Sequence, residues 1–152
     1  ANDLIGRKTA RDGGAVARVV ADEMDKVAQE LARHGEPNLQ AIGARLAEGV
    51  TAVRMAAAWL VPSYGANTRA AHAVAVPYLK LWGLVTGAWQ LGRGALAAQK
   101  HLSAGTGDAR FLAAKIQTAR FYAEALLPQA AGLAQAVIAS GDATVALAAE
   151  QF

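Results

Sequence analysis

The histidines are the first residues to test for chemistry, because imidazole serves as a metal ligand and as an acid–base catalyst. The chain has three, His34, His72 and His101, and each lies on a separate segment near the end of a predicted helix. The Glu-x-x-His pairs typical of di-iron helical bundles do not occur in the sequence. Glu30 and His34 stand four residues apart, a common spacing on a solvated helix face. The sequence therefore predicts no metal site.

The sequence also shows no pattern typical of a cysteine nucleophile or of paired catalytic carboxylates. The chain has no cysteine, which excludes a disulfide framework, a thiolate metal site and a cysteine nucleophile. No pair of carboxylates falls on an apolar helix face, and Glu124, four residues from Arg120, is typical of an exposed ion pair. We therefore predict no catalytic residue in this chain.

Two glycine-rich stretches could bind a phosphate group, Asp-Gly-Gly at residues 12–14 and Gly-Thr-Gly at residues 105–107. A helix start can hold phosphate through its free backbone N–H groups. Neither stretch matches a dinucleotide fingerprint or a P-loop, and neither follows a predicted strand. Both are interpreted as loops that enter helices, and we predict no cofactor-binding residue.

Four residues stand out by their positions on predicted helices. Lys115 falls within the apolar arc of its helix. Either its stem lies along the edge of the core while its ammonium reaches solvent or a carboxylate, or an acidic partner or ligand holds it in an interface. Lys80 and Arg93 allow the same two interpretations. Phe121 lies off the apolar arc and is predicted to pack on another subunit or domain. All four are candidate interface contacts.

Charge and hydropathy exclude two classes of partner. The formal net charge is only +3, and lysines and arginines are widely spaced among apolar residues, so we predict no nucleic-acid binding. The most apolar window, residues 73–92, is interrupted by Lys80, Gln90 and Pro77. A spanning helix needs about 20 residues with few or no charges. This window therefore predicts a buried core helix and no membrane span.

Helical periodicity and end signals run through the chain from Asp12 onward. The predicted helices extend from an Asp12 cap to a stop at 34–37, from an Asn38 cap to a stop formed by Pro62 and residues 64–67, over 68–102, from a cap at 108 to a stop at 140–141, and over 143–149. Pro77 predicts a kink or a late helix start, and Pro128 a kink or a break. The fold class is all-α, an up-down antiparallel four-helix bundle with long, partly kinked helices and a short C-terminal helix.

The apolar stripes predict which faces are buried. The first predicted stripe comprises Val16, Val20, Met24, Val27 and Leu31, and the second comprises Leu39, Ile42, Leu46, Val50, Val53, Ala57 and Leu60. Residues 111–131, read as one long helix containing a proline, are predicted to form the packing spine with their neighbour, residues 70–99. Residues 1–11 are predicted to be a linker from an upstream catalytic core, and residues 12–152 the bundle domain. A start without methionine suggests a segment of a longer protein or a processed product.

Three stretches together resemble a known family. They are NDLIGRK at residues 2–8, PYLKLWGLV at residues 77–85, and AKIQTARFYAE at residues 114–124 followed by LLP at 126–128. This pattern resembles the extra C-terminal helical domain of a bacterial acyl-CoA dehydrogenase subfamily, the acetyl-CoA dehydrogenase-like C-terminal domain. The resemblance covers almost the whole chain and rests on runs of residue types.

The resemblance implies a role outside the chemistry. In these enzymes a core holding FAD removes hydrogens from the α and β carbons of an acyl-CoA, and a glutamate takes the α-proton. The resemblance places that glutamate upstream of residue 2, so FAD and acyl-CoA would bind the core of a cytoplasmic homo-oligomer. This chain would be an accessory domain that packs on the core or between subunits. The alternative is a free-standing helical binding or regulatory module.

Overall fold

The structure, a computed structural model, describes residues 1–151, and they contain helices and no strand. The all-α class is thereby confirmed, while the up-down four-helix arrangement stays a prediction. The elements are a π-helix at Leu4–Ala10, α1 at Ala15–Ala32, α2 at Pro37–Ala66, α3 at Thr68–Ala73, α4 at Ala75–Ser103, α5 at Ala109–Phe121, a π-segment at Tyr122–Leu126, α6 at Gln129–Thr144 and a 3₁₀ turn at Ala149–Gln151. Phe152, the last residue of the predicted bundle domain, lies outside the described residues.

Helix α2 is the centre of the fold. It packs against every other α-helix of the described residues and against both π-helical segments. Its predicted stripe is buried, apart from the half-buried Ala57. The prediction that residues 111–131 form the packing spine is wrong, because they bury only Ile116, Ala119, Ala123, Leu127 and Ala130. A broad apolar face lets α2 contact neighbours on several sides, whereas most residues of α5 are exposed.

The buried face of α1 differs from the predicted stripe. Val16 is 54% exposed, and Val20 and Val27 are only partly buried. The buried residues of α1 are Ala17, Ala21, Met24, Ala28 and Leu31. The physical reason is close helix packing, since a Cβ on Gly43 of α2 would lie only 2.5 Å from the backbone nitrogen of Ala32. Alanines on the facing side allow that approach, and valines would not.

Two predicted caps are present and one is not. The Asp12 carboxylate accepts hydrogen bonds from the backbone N–H groups of Ala15 and Val16, both at 3.0 Å. Asp108 caps α5 in the same way. The Asn38 cap is wrong, because α2 starts one residue earlier with Pro37 at its first position. Proline suits that position, where a backbone N–H has no helical partner.

The prolines act differently in the three places where a break was expected. Pro77 lies in the first turn of α4, which starts at Ala75 after an interruption at Val74, so the late start is confirmed. Pro128 directly precedes α6, which confirms the break and restart. Pro62 does not interrupt α2, which continues to Ala66 and so ends within the other part of the predicted stop, residues 64–67. The packed residues on both sides of Pro62 hold the helix together despite the lost hydrogen bond.

The predicted stop at residues 140–141 and the short helix at 143–149 are wrong. Helix α6 runs through Ser140 and Gly141 to Thr144, and a 3₁₀ turn follows at Ala149–Gln151. A Cβ on Gly141 would lie 3.0 Å from the Trp59 ring and 3.1 Å from the carbonyl oxygen of Ala70. This glycine therefore serves close packing of α6 on α2 and α3 and does not end the helix.

Residues 4–10 pack on the bundle. Ile5 is completely buried, and Thr9 is 1% exposed. The hydroxyls of Thr9 and Tyr78 lie 3.2 Å apart and share a buried hydrogen bond that joins this segment to α4. The role of residues 1–11 as a linker from a catalytic core stays a prediction.

The burial of Tyr78 predicts a loss of stability in alkali. Burial raises the pKa of the Tyr78 hydroxyl above its ordinary value of 10.0, as it does for Tyr122. A tyrosine whose folded-state pKa is raised stabilises the fold fully below its unfolded-state pKa, and this contribution is lost as pH rises toward the folded-state value. We expect the free energy of unfolding, measured with urea, to fall above about pH 10.

The matched variant is Tyr78→Phe. At neutral pH it should destabilise the fold by about 1–3 kcal/mol, because the buried Thr9 hydroxyl loses its partner. Above about pH 10 the variant should lose less stability than the parent, since only the partly buried Tyr122 then remains as a tyrosine with a raised pKa. An identical decline in both proteins would show that Tyr78 is not responsible.

Candidate functional site

The four candidate contacts all lie on the surface. Lys80 and Arg93 are exposed on α4, and Lys115 and Phe121 are exposed on α5. Phe121 is 63% exposed, in agreement with its predicted position off the apolar arc. Gln90 connects Arg93 with Lys115 at the α4–α5 seam, the line along which these two helices pack. Gln90 accepts a hydrogen bond from Arg93 at 3.2 Å and lines a groove together with Lys115. Their role as interface contacts stays a prediction.

Two of the cations lie over aromatic rings one helical turn away. The Lys115 ammonium lies 5.2 Å from the centroid of the Phe111 ring, and the Arg93 guanidinium lies 5.6 Å from that of Trp89. A cation in this position is attracted by the negative face of the ring. Lys115 is therefore outside the core, and Phe111, predicted to be on the buried arc, is 60% exposed. The apolar arc of α5 is narrower than predicted.

The seam between α4 and α5 is closed at one end and open at the other. Gly87 allows the Tyr122 side chain to lie against α4, where its hydroxyl donates a hydrogen bond to the carbonyl oxygen of Leu84 at 3.1 Å. Gly83, one helical turn earlier in α4, has no neighbouring atom within 4 Å of an added Cβ. Toward Gly94 the seam opens into a groove of about 260 Å³, lined by Gln90, Leu91, Gly94, Phe111, Ala114, Lys115 and Thr118.

A second groove, of about 410 Å³, lies between α1 and α2. Its lining is mostly small and apolar, with Arg18, Asp22 and Arg54 at the edge. The polar groups already have partners, since Arg54 pairs with Asp22 at 2.8 Å and Arg18 donates to the carbonyl oxygen of Gly13 at 2.8 Å. The groove offers an apolar surface and no free catalytic group.

The glycine-rich stretches do not fit the phosphates of FAD. At the start of α1 the Asp12 carboxylate already accepts the free N–H groups, and the N–H groups of Gly13 and Gly14 bond to backbone carbonyls. At the start of α5 the Asp108 carboxylate fills the same position. A phosphate would meet a negative charge at both helix ends, so neither stretch can hold a flavin nucleotide.

The described residues contain neither a cluster of metal ligands nor a membrane-spanning helix. Within residues 1–151, no group of three or more histidine, aspartate or glutamate side chains is placed to hold a metal ion. His34 accepts a hydrogen bond from the backbone of Glu36 at 3.2 Å, and His101 pairs with Thr106 at 3.0 Å. No helix in the same residues is long and apolar enough to cross a membrane.

Sequence reasoning missed Phe111 and Trp89 as parts of this surface. A signal was present, since each precedes a cation by four residues, which is the spacing that stacks two side chains on one helix face. A second signal was the lack of any acidic residue in α4 and α5. An analysis of hydrophobic periodicity overlooks both signals, because it assigns every aromatic residue to the core and does not consider the charges beside it.

Comparison with known proteins places the chain in a family. The profile described as "Acetyl-CoA dehydrogenase C-terminal like" matches residues 20–148. The chain belongs to this family. The resemblance noted in the sequence is thereby confirmed.

One relative of this acetyl-CoA dehydrogenase C-terminal-like chain is the 3-methylmercaptopropionyl-CoA dehydrogenase of Ruegeria pomeroyi (strain ATCC 700808 / DSM 15171 / DSS-3). The two are 40% identical over 142 residues, which cover 93% of this chain and 24% of the relative. The chain therefore spans about a quarter of the length of that dehydrogenase.

Proposed function

We propose that this chain is the C-terminal accessory domain of an FAD-dependent acyl-CoA dehydrogenase. The observation that carries the proposal is the family match over residues 20–148, joined to 40% identity with one quarter of a dehydrogenase. In the whole enzyme a separate core would bind FAD and acyl-CoA and remove hydrogens from the α and β carbons. The enzyme would be a cytoplasmic homo-oligomer, and this chain would carry no step of the reaction.

The structure supports a packing role for the domain. The described residues form one buried core, centred on α2, that includes Ile5 near the N-terminus. The groove at the α4–α5 seam and the groove between α1 and α2 gather no groups that could act on substrate. A further groove, between α1 and α4, is lined by Glu30, His34 and Lys100 among other residues. We propose that Lys80, Arg93, Lys115 and Phe121, all exposed, contact the catalytic core or a second subunit.

Flavin content and turnover test this proposal. Residues 1–152 and the whole enzyme that contains them would be purified separately and assayed with a series of acyl-CoA thioesters, including 3-methylmercaptopropionyl-CoA. We expect FAD and dehydrogenation in the whole enzyme and neither in residues 1–152. Bound FAD with turnover by residues 1–152 alone would show that the accessory role is wrong.

The groove between α1 and α2 favours the alternative, a free-standing binding module. Its volume of about 410 Å³ and its apolar lining fall within the range of small-molecule sites. Thermal shift of residues 1–152 with acyl-CoA measures this directly. A saturable rise in Tm, together with a whole protein that lacks flavin, would support the binding module over the accessory domain.

A further inference from the structure

The α4–α5 face carries exposed apolar side chains that the fold leaves uncovered. We use this name for the exposed residues Leu79, Lys80, Arg93, Phe111, Lys115 and Phe121. Leu79 is 46% exposed, Phe111 60% and Phe121 63%. Single exposed apolar residues are ordinary on a protein surface. Aromatic side chains and arginine grouped on one face are typical of protein–protein interfaces.

Apart from Lys80, the members of this face are linked along the contact between α4 and α5. Gln90 links Arg93, to which it is hydrogen-bonded, with the groove that Phe111 and Lys115 line. Thr118 continues the same groove wall, and Phe121 follows it by one helical turn. On α4, Leu79 lies on the same side as Gln90, since a separation of eleven positions corresponds to about three turns.

The charge of this face is one-sided. Helices α4 and α5 contain lysine and arginine but no aspartate or glutamate. Among the described residues, none of Lys80, Arg93 and Lys115 has a carboxylate within ion-pair distance, whereas the cations Arg54 and Arg120 do. Helix α1, which packs on α2 and on α4, carries a group of acidic residues. An acidic partner would therefore be attracted to the α4–α5 face and not to α1.

Two of the cations are held in place before any partner binds. Arg93 lies over the Trp89 ring and donates a hydrogen bond to Gln90, and Lys115 lies over the Phe111 ring. Long charged side chains lose rotamer entropy when an interface immobilises them. Stacking on neighbouring rings reduces that loss, so these cations are preorganised to meet carboxylates.

We infer that the α4–α5 face docks onto an acidic protein surface that bears apolar side chains, on the catalytic core of the dehydrogenase. This inference rests on the proposed function, which supplies the core as the partner. The named residues span about 21 Å of α4 and about 15 Å of α5 at 1.5 Å per residue. Over two helix diameters this is about 400 Å², so the two sides of such a contact would bury roughly 800 Å², within the range for interfaces between domains of one chain.

An anionic membrane fits the face less well. Lys80 and Arg93 are thirteen residues apart, or roughly 20 Å along the helix axis. Lipid headgroups are recognised by clusters of four to eight adjacent lysines and arginines. The separate cations of this face instead match carboxylates at fixed positions on a folded partner.

Photo-crosslinking in the whole enzyme tests the inference. The photoreactive residue p-benzoylphenylalanine would replace Phe121, and in a second protein Phe111. The controls place it at Val19 and at Met55, which are 61% and 53% exposed and lie on α1 and α2. We expect adducts from Phe121 and Phe111 that map to peptides of the core rich in aspartate and glutamate, and none of these from the controls. Three results would overturn the inference. They are adducts that map to basic or neutral peptides, adducts that form only with added anionic vesicles, and equal adduct yields at all four sites.

Charge reversal provides an independent readout. The double variant Arg93→Glu, Lys115→Glu should lower the yield of the Phe121 adduct roughly tenfold, because like charges would then face each other across the interface. The double variant Arg93→Lys, Lys115→Arg keeps the charge and should retain most of the yield. Equal yields from both double variants would overturn the role of the charges.

The outcomes separate this inference from the proposed function. FAD content and dehydrogenase turnover of the whole enzyme are measured on the same preparations. A preparation that lacks flavin and turnover contradicts the proposed function, whatever its crosslinks. An active flavoenzyme without the expected adducts contradicts only the docking surface.

Discussion

Replacing Gly43 with alanine should lower the free energy of unfolding by about 2–3 kcal/mol, because the new methyl group has no space. Its Cβ would lie 2.5 Å from the backbone nitrogen of Ala32, 2.7 Å from the carbonyl oxygen of Ala28 and 2.9 Å from Leu31 Cβ. These are backbone and Cβ atoms, so no rotamer change relieves the contact. Helices α1 and α2 would have to separate, and calorimetry should show a Tm lower by roughly 5–10 °C.

Gly132→Ala is the matched control. Gly132 is an exposed glycine of α6 with no atom within 4 Å of an added Cβ. Alanine is favoured over glycine in a helix by up to about 1 kcal/mol, so this variant should be slightly more stable than the parent. If Gly43→Ala were also neutral or stabilising, the close approach of α1 and α2 would be wrong.

Truncating Leu46 to alanine should cost about 2–5 kcal/mol, the range for a fully buried leucine. Leu46 is completely buried in the middle of α2. Its Cδ2 atom lies 3.9 Å from the position of an added Cβ on Gly92 of α4, close to Leu31 of α1. The variant would leave a cavity where three helices meet, and urea denaturation followed by circular dichroism measures the loss.

Met55→Ala tests the same helix on its opposite side. Met55 is 53% exposed, so its truncation should change stability by no more than about 0.5 kcal/mol. A loss at Leu46 below that value would show that the core is not centred on α2. A large loss at Met55 would show that the exposed side of α2 is covered by a partner.

The stripe of α2 was predictable because its buried residues are large and apolar. Leu39, Leu46 and Leu60 recur at helical spacing, and burial of such side chains dominates the free energy of folding. The caps at Asp12 and Asp108 were predictable because a short acidic side chain satisfies free N–H groups locally. These features depend on residues near each other in sequence.

The buried face of α1 was not predictable by the same reasoning. Alanine is compatible with either face of a helix, and in this alanine-rich chain the selection between valines and alanines depends on which helix packs there and how closely. Gly43 permits the close approach, so Ala17 is buried and Val16 is exposed. Gly141 shows the same effect, since its contact with Trp59 is invisible until α2 and α6 are packed.

The sequence by itself determined the all-α class, the main helix caps, the buried stripe of α2 and the family to which the chain belongs. The helical class and the stripe follow from hydrophobic periodicity, the caps from local hydrogen bonding, and the family from short sequence motifs. Only the tertiary structure decided that α2 is the centre of the fold and that Phe111 and Lys115 lie together on an uncovered face. Exposure depends on which neighbours a helix acquires in the packed chain, and residue spacing along one helix does not contain that information.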